Sequence, residues 1–187
     1  IDPKTYLMDV SLLENLINER TKCILPVHLY GQCVDMDKVF EIAQKYNLKV
    51  FEDCAQAHGA LFNNKVAGSI GDASSTSFYP TKILGTFGDG GMILTNNQEV
   101  MEKIRRLRFY GMDKQYFSLE NGINSRLDEL HAAILSKKLR RLKYYVQRRQ
   151  EIAARYDSEL RETSLKLPIN KTSNHHAYYV YVVSHPD

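Results

Sequence analysis

The chain has 187 residues, 43% of them hydrophobic and 25% charged, with a formal net charge of +3. That balance is ordinary for globular proteins; it excludes a disordered or fibrous chain, and the small charge selects no class of partner. No apolar run approaches the roughly 18 residues of a membrane span and no basic start leads into an apolar stretch, so a cytoplasmic protein without membrane contact is expected.

A chain of this length can bury a sizeable core. It opens at Ile1 rather than at Met and stops at Ser184-His185-Pro186-Asp187 just after the apolar run Ala177 to Val183, so a piece of a longer protein is expected. Cys23, Cys33 and Cys54 are odd in number and scattered beside apolar residues, which suits reduced thiols in a core better than a disulfide framework.

Four apolar runs, Cys23 to Leu29, Val50 to Glu52, Ser74 to Phe78 and Met92 to Thr95, read as strands. Between the first two, Met36, Val39, Phe40, Ala43 and Tyr46 recur every three or four residues behind Asp35, a pattern that predicts a capped amphipathic helix. Asn97 caps a second predicted helix over 97–110, with Val100, Ile104 and Leu107 as its stripe. Leu127, Leu130, Ile134, Leu142, Val146, Ile152 and Tyr156 then predict one long helix from about Ser125 to Leu160, and Ala177 to Val183 reads as a strand. Strands alternating with helices predict an α/β fold with a mostly parallel sheet.

Two segments could carry chemistry. In Val50-Phe51-Glu52-Asp53-Cys54-Ala55-Gln56-Ala57-His58-Gly59-Ala60, acids stand at the carboxyl end of a strand, the edge where open α/β sheets bind ligands. Asp53 could equally be the cap of a following helix. In Ser77-Phe78-Tyr79-Pro80-Thr81-Lys82-Ile83-Leu84-Gly85-Thr86-Phe87-Gly88-Asp89-Gly90-Gly91, a lysine follows a strand-ending proline and precedes four glycines. Lys82 is either a held, reactive amine or an ordinary loop lysine; the stretch lacks the Gly-Lys-Ser/Thr ending of a nucleotide P-loop.

Together with Val-His-Leu-Tyr-Gly-Gln at 27–32 and Asn-Ser-Arg-Leu-Asp-Glu-Leu-His-Ala-Ala at 124–133, these segments resemble the DegT/DnrJ/EryC1/StrS sugar aminotransferases over nearly the whole chain. The resemblance implies the three-layer α/β/α large domain of the aspartate-aminotransferase type, truncated, followed by the start of a small α+β domain. Residues 1–124 would be the C-terminal part of the cofactor-binding large domain, 125–160 a long connecting helix, and 161–187 the start of the small C-terminal domain.

The implied cofactor is pyridoxal 5'-phosphate. Lys82 would form the internal aldimine and shuttle the proton, and Asp53 would pair with the pyridine nitrogen. Gln56 would lie near the phenolic oxygen, Ser77 would bind the phosphate, and Asn124 would reach the phosphate of a neighbouring subunit's cofactor. The implied reaction moves an amino group from an amino acid, with glutamate as the expected donor, to a keto group of a nucleotide-linked sugar. The run Leu84 to Gly91 is more similar to relatives acting on 3-keto than on 4-keto sugars, although Ile83 departs from the Asn common after the lysine. A homodimer with shared active sites is implied as well, and the family's glycine-and-threonine phosphate turn and ring-stacking aromatic are not in this stretch.

His58 reads as a packed histidine outside the catalytic set. No metal site is expected, because His28 and His131 stand far from other ligand types and His175-His176 lack a second pair. Eight Lys or Arg residues between Lys137 and Arg155 face only Glu151 in charge. Without a nucleic-acid module beside them they read as a solvated helix face, the alternative being a regulatory or nucleic-acid-binding protein.

Overall fold

The computed structural model describes residues 1–114, 116–170 and 174–185. After two short 3₁₀ turns, the elements are β1 (Cys23–Ile24), α1 (Met36–Lys45), β2 (Lys49–Asp53), β3 (Leu61–Phe62), β4 (Lys65–Val66), β5 (Ala73–Ser77) and β6 (Gly91–Leu94). There follow α2 (Gln98–Leu107), β7 (Met112–Lys114), β8 (Phe117–Ser118), α3 (Glu129–Leu139), α4 (Leu142–Leu160) and β9 (Asn174–His175).

The main sheet has the order β1-β2-β5-β6. β1, β2 and β5 run parallel and β6 closes antiparallel to β5, with Ser74 opposite Leu94 and Ser77 opposite Gly91. This is the mixed α/β, mostly parallel arrangement that the alternation of patterns predicts. The two helices with the clearest sequence signals form where expected. Asp35 accepts from Lys38 N at the start of α1, and Asn97 accepts from Val100 N at the start of α2. Such a cap contributes about 1 kcal/mol by satisfying an orphan N–H. α1 buries Met36, Val39 and Ala43 in one cluster with Ile24 and Val50, each large side chain contributing roughly 1.5–3 kcal/mol.

The strand alternation of β2 puts Val50 and Glu52 inside and leaves Phe51 and Asp53 half-buried. Glu52 is fully buried, and every lone-pair direction it offers is used. Its Oε1 accepts from Ile70 N at 2.8 Å and Gly71 N at 2.6 Å; its Oε2 accepts from Gly68 N at 2.8 Å and is 2.9 Å from His28 Nε2. His28 Nδ1 accepts from Val34 N, so Nε2 carries the hydrogen that points at Glu52. One carboxylate thereby ties β2 to the loop ahead of β5 and to the turn after β1. Gly71 lies so close that an added Cβ would stand 2.7 Å from Val50 O. Gly71→Ala is expected to cost about 1–3 kcal/mol by forcing this loop off the strand. A urea-unfolding midpoint equal to that of the wild type would contradict it.

Four sequence expectations change. The apolar run from Cys23 to Leu29 is a two-residue strand, after which Pro26 interrupts the ladder and Val27 rejoins it by a lone bridge to Asp53. Cys23 is exposed rather than in the core, while Cys33 and Cys54 are buried. The long helix expected over 125–160 is two helices, broken at Arg140 and Arg141, where Arg141 has φ −107° and ψ 3°. The break lets Leu135 pack with Phe78 and Leu84 while Leu142 and Val146 turn into the main core.

Finally, Ala177 to Val183 is not a strand. Its backbone groups are spent elsewhere: Ala177 N donates to Gly31 O, Tyr179 N to Tyr30 O, and Arg149 Nη1 donates to the carbonyls of Tyr178 and Tyr179. The pairing nearby is made by β9 against β3, and β3 and β4 form a hairpin through Asn63 and Asn64, both at positive φ.

Candidate functional site

The parallel strands β2 and β5 end side by side, with Asp53 in register with Ser75 and Ser77 two residues further along. Cys54 N donates to Ser75 O and ends the pairing, which releases the chain into the turn that carries Gln56 and His58. Asp53 Oδ1 accepts from Ala55 N at 2.9 Å; among the described residues Oδ2 accepts nothing. No α-helix follows for Asp53 to cap.

Gln56 Oε1 accepts from Tyr30 N at 2.8 Å. That N–H can meet only an oxygen, so the amide NH₂ of Gln56 is the end left to donate elsewhere. The bond supports a strained turn: Tyr30 has φ +62° and Gly31 φ +94°. An added Cβ on Gly31 would lie 3.1 Å from the backbone nitrogens of both Tyr178 and Tyr179.

At the end of β5, Ser77 Oγ accepts from Tyr79 N at 3.2 Å, which leaves its hydroxyl hydrogen free to donate. Lys82 N closes the next turn onto Tyr79 O. Gly85 packs back on this turn so tightly that a Cβ would stand 2.6 Å from the carbonyl oxygens of Tyr79 and Pro80, and Lys138 Nζ from α3 bonds Gly85 O. Lys82 is half-buried, with Nζ 4.5 Å from the centroid of the Tyr179 ring. It makes no ion pair or hydrogen bond through Nζ among the described residues.

His58 sits beside these groups without joining them. Thr76 Oγ1 donates to Cys54 O at 3.2 Å and therefore accepts from His58 Nε2–H at 2.8 Å, while Nδ1 is buried without a partner. The ring stacks on Phe78. Burial, with the Lys82 and Lys138 charges adding to it, pushes the imidazole down to about 4, so it is neutral at neutral pH. That suits a packed histidine.

Asn124 stands apart from the strand ends. Its backbone pairs with Phe109, and its exposed side chain makes no hydrogen bond among the described residues. Around it the β7–β8 hairpin and its flanks expose Tyr116, Phe117, Leu119 and Ile123.

His28, Glu52 and Cys54 bring ligand atoms within 4.8 Å of one another, a grouping that sequence spacing hides. Both His28 nitrogens and both Glu52 oxygens are already engaged in the hydrogen bonds above. A cavity of about 330 Å³ between β6 and α3 is lined mainly by apolar groups, with His58, Thr76 and Ser136, and by none of Asp53, Gln56, Ser77 and Lys82. Five of the eight basic residues at 137–155 engage their own chain. Arg141 lies over the Tyr144 and Tyr145 rings, Arg148 pairs with Glu151, Arg155 with Glu159, and Arg149 and Lys138 hold the carbonyls already named. Sequence reasoning misses Tyr30 and Tyr179; the tyrosines at 178, 179 and 181 are the signal, and only the fold shows that one of them meets Lys82.

The sequence of residues 1–187 matches the DegT/DnrJ/EryC1/StrS aminotransferase family. A relative from Aneurinibacillus thermoaerophilus, dTDP-3-amino-3,6-dideoxy-alpha-D-galactopyranose transaminase, is 52% identical over 182 residues, which cover 97% of this chain and 50% of that protein. dTDP-3-amino-3,4,6-trideoxy-alpha-D-glucose transaminase of Micromonospora megalomicea subsp. nigra is 50% identical over 186 residues, 97% of this chain and 50% of that one. Among solved structures, DesV of S. venezuelae in complex with a ketimine intermediate superposes with a TM-score of 0.93 at 40% identity, over 96% of this chain and 49% of that chain. The chain spans about half the length of the curated relatives it matches. It belongs to the DegT/DnrJ/EryC1/StrS aminotransferase family.

Proposed function

We propose that this family member, as the full-length protein, uses pyridoxal 5'-phosphate to move an amino group from an amino acid, glutamate by preference, to the 3-keto position of a nucleotide-linked sugar. The observation that carries the reading is the set of unspent polar ends at the carboxyl edge of β2 and β5. Asp53 keeps one carboxylate oxygen, Gln56 its amide NH₂, Ser77 its hydroxyl hydrogen and Lys82 its amine. These ends fit the cofactor in kind. A carboxylate suits a protonated ring nitrogen, an amide donor suits a phenolic oxygen, a hydroxyl suits a phosphate, and an amine suits the aldehyde.

When bound, the cofactor supplies an electron sink for the carbon that carries the amino group. The chain's part is to hold and orient it. Asp53 keeps the ring nitrogen protonated, because an opposite charge nearby favours the charged form. Lys82 would hold the group through its amine and, when that amine is free, would be the base that takes up and returns the substrate's proton. Neutral His58 adds no competing charge.

The 3-keto preference draws support from the names of the relatives from Aneurinibacillus and Micromonospora, both of which make 3-amino sugars. A homodimer is part of the proposal: the apolar hairpin beside Asn124 would lie against a second copy, and Asn124 would reach that copy's cofactor phosphate. A cytoplasmic setting accords with three free thiols, and no helix among the described residues is long and apolar enough to cross a membrane. The test is to assay the full-length protein with glutamate against a panel of nucleotide-linked 3-keto and 4-keto sugars. Turnover of 3-keto members at least about tenfold faster, equivalent to about 1.4 kcal/mol of discrimination, is expected. A preference for 4-keto members would overturn the assigned carbon, and no transamination of any member would overturn the reading.

A further inference from the structure

We infer that Tyr179 is a positioning residue for Lys82, its ring face holding the lysine ammonium and its hydroxyl fixing the neighbouring Thr81. The inference rests on the reading of Lys82 as the cofactor-holding residue. Lys82 Nζ lies 4.5 Å from the Tyr179 ring centroid, and Tyr179 Oη is 3.1 Å from Thr81 Oγ1. Two adjacent residues of the loop after β5 are therefore gripped by one tyrosine that arrives from 98 positions further along the chain.

The tyrosine is itself held. Its N–H donates to Tyr30 O at 2.9 Å, its carbonyl accepts from Arg149 Nη1 at 2.9 Å, and Ala177 N donates to Gly31 O at 2.8 Å. The Tyr30 turn is in turn pinned by Gln56, which stands at the end of β2. Strand end, turn, strap and lysine form one connected chain of contacts. α4 fastens the strap from the other side through Arg149.

The physical effect follows from the lysine's own chemistry. Its ammonium ends a flexible four-carbon stem that otherwise samples many rotamers. The negative face of an aromatic ring attracts a cation, and at a half-exposed position this changes the population of the held rotamer about two- to fivefold. With no ion pair or hydrogen bond at Nζ among the described residues, the ring is what selects where the amine waits. The fold thus uses the segment after α4 to place a group on the loop after β5.

The experiment takes the full-length protein stripped of cofactor and measures acylation of Lys82 by acetic anhydride, read by peptide mass spectrometry against exposed Lys65 as internal reference. Tyr179→Leu is expected to label Lys82 about two- to fivefold faster than wild type and to weaken capture of added pyridoxal phosphate by a similar factor. Tyr179→Phe keeps the ring face and is expected to retain wild-type labelling. Tyr179→Met is carried in parallel as a second ringless variant, so that a misfolded leucine variant still leaves a decisive result. Wild-type labelling in the folded ringless variant, or equal acceleration in Tyr179→Phe, would overturn the inference. Lys82→Ala separates the two levels. If that variant still shows the shifted band of amine-bonded cofactor, the assignment of Lys82 fails; if it loses that band while the Tyr179 variants label as wild type, only the role of Tyr179 fails.

Discussion

Replacing Lys82 by alanine in the full-length protein is expected to abolish the shifted absorbance band that pyridoxal phosphate acquires on bonding to the protein's amine and to lower transamination by at least about 10⁴-fold, the upper range for loss of one positioned proton-transfer group. The size follows from two jobs held by one amine. In the proposed reading Lys82 would both hold the cofactor and move the proton; Lys138, the other lysine whose charge reaches His58, is committed to Gly85 O. Wild-type protein and Lys82→Ala are compared by absorbance titration and by single-turnover assay. A surviving band or activity within about tenfold of wild type would remove Lys82 from its role. Lys82→Arg separates charge from chemistry, because a guanidinium keeps the cation and cannot act as a free amine at any accessible pH. It is expected to be as inactive as the alanine variant.

The second large effect is on stability. Glu52→Gln is expected to cost about 3 kcal/mol at neutral pH, because an amide can offer acceptors on one side only. Two of the four donors around Glu52 would then meet an NH₂ on the other, leaving buried N–H groups unpaired.

The same site shapes the acid response. Burial alone would raise the Glu52 carboxyl, but the hydrogen bonds from His28, Gly71 and Gly68 outweigh it and hold the group below its ordinary 4.5. The unfolded chain therefore takes up this proton at a higher pH than the folded one. The contribution of Glu52 is fully present above about pH 4.5 and is lost as pH falls through the lower folded value.

His58 and His176 act earlier. Burial, with the Lys82 and Lys138 charges adding to it at His58, pushes both imidazoles from the ordinary 6.5 down to about 4. The unfolded chain binds protons there first, so stability begins to fall below about pH 6.5. Urea unfolding of wild type and Glu52→Gln between pH 7 and pH 4 checks both parts. The variant should share the first decline and lose the steeper one below pH 4.5; an unchanged profile would show that Glu52 is not a buried anion.

Much of this is legible in the sequence, and what is not has identifiable causes. Asp35 and Asn97 announce their helices because a cap is a local device that needs no tertiary partner. β2 and β5 are legible because β-rich runs between turn residues carry their own signal, and with them comes the placing of Asp53 and Ser77 at neighbouring strand ends. Glu52 is illegible. An acid inside a strand gains its meaning from four donors that arrive from elsewhere in the chain. The break between α3 and α4 has no proline or glycine to mark it; the two helices part because their apolar residues belong to different clusters. The segment from Ala177 to Val183 has strand composition, but Arg149 and the Tyr30–Gly31 turn capture its backbone groups first. For the same reason Tyr179 gives no local sign of meeting Lys82.

Which residue holds the cofactor can be read directly. The full-length protein is loaded with pyridoxal phosphate, reduced with borohydride, digested and mapped by mass spectrometry. A single phosphopyridoxyl-modified peptide containing Lys82 is expected, formed in proportion to the absorbance of the bound cofactor. Modification at another lysine, with the Lys82 peptide unmodified, would contradict it.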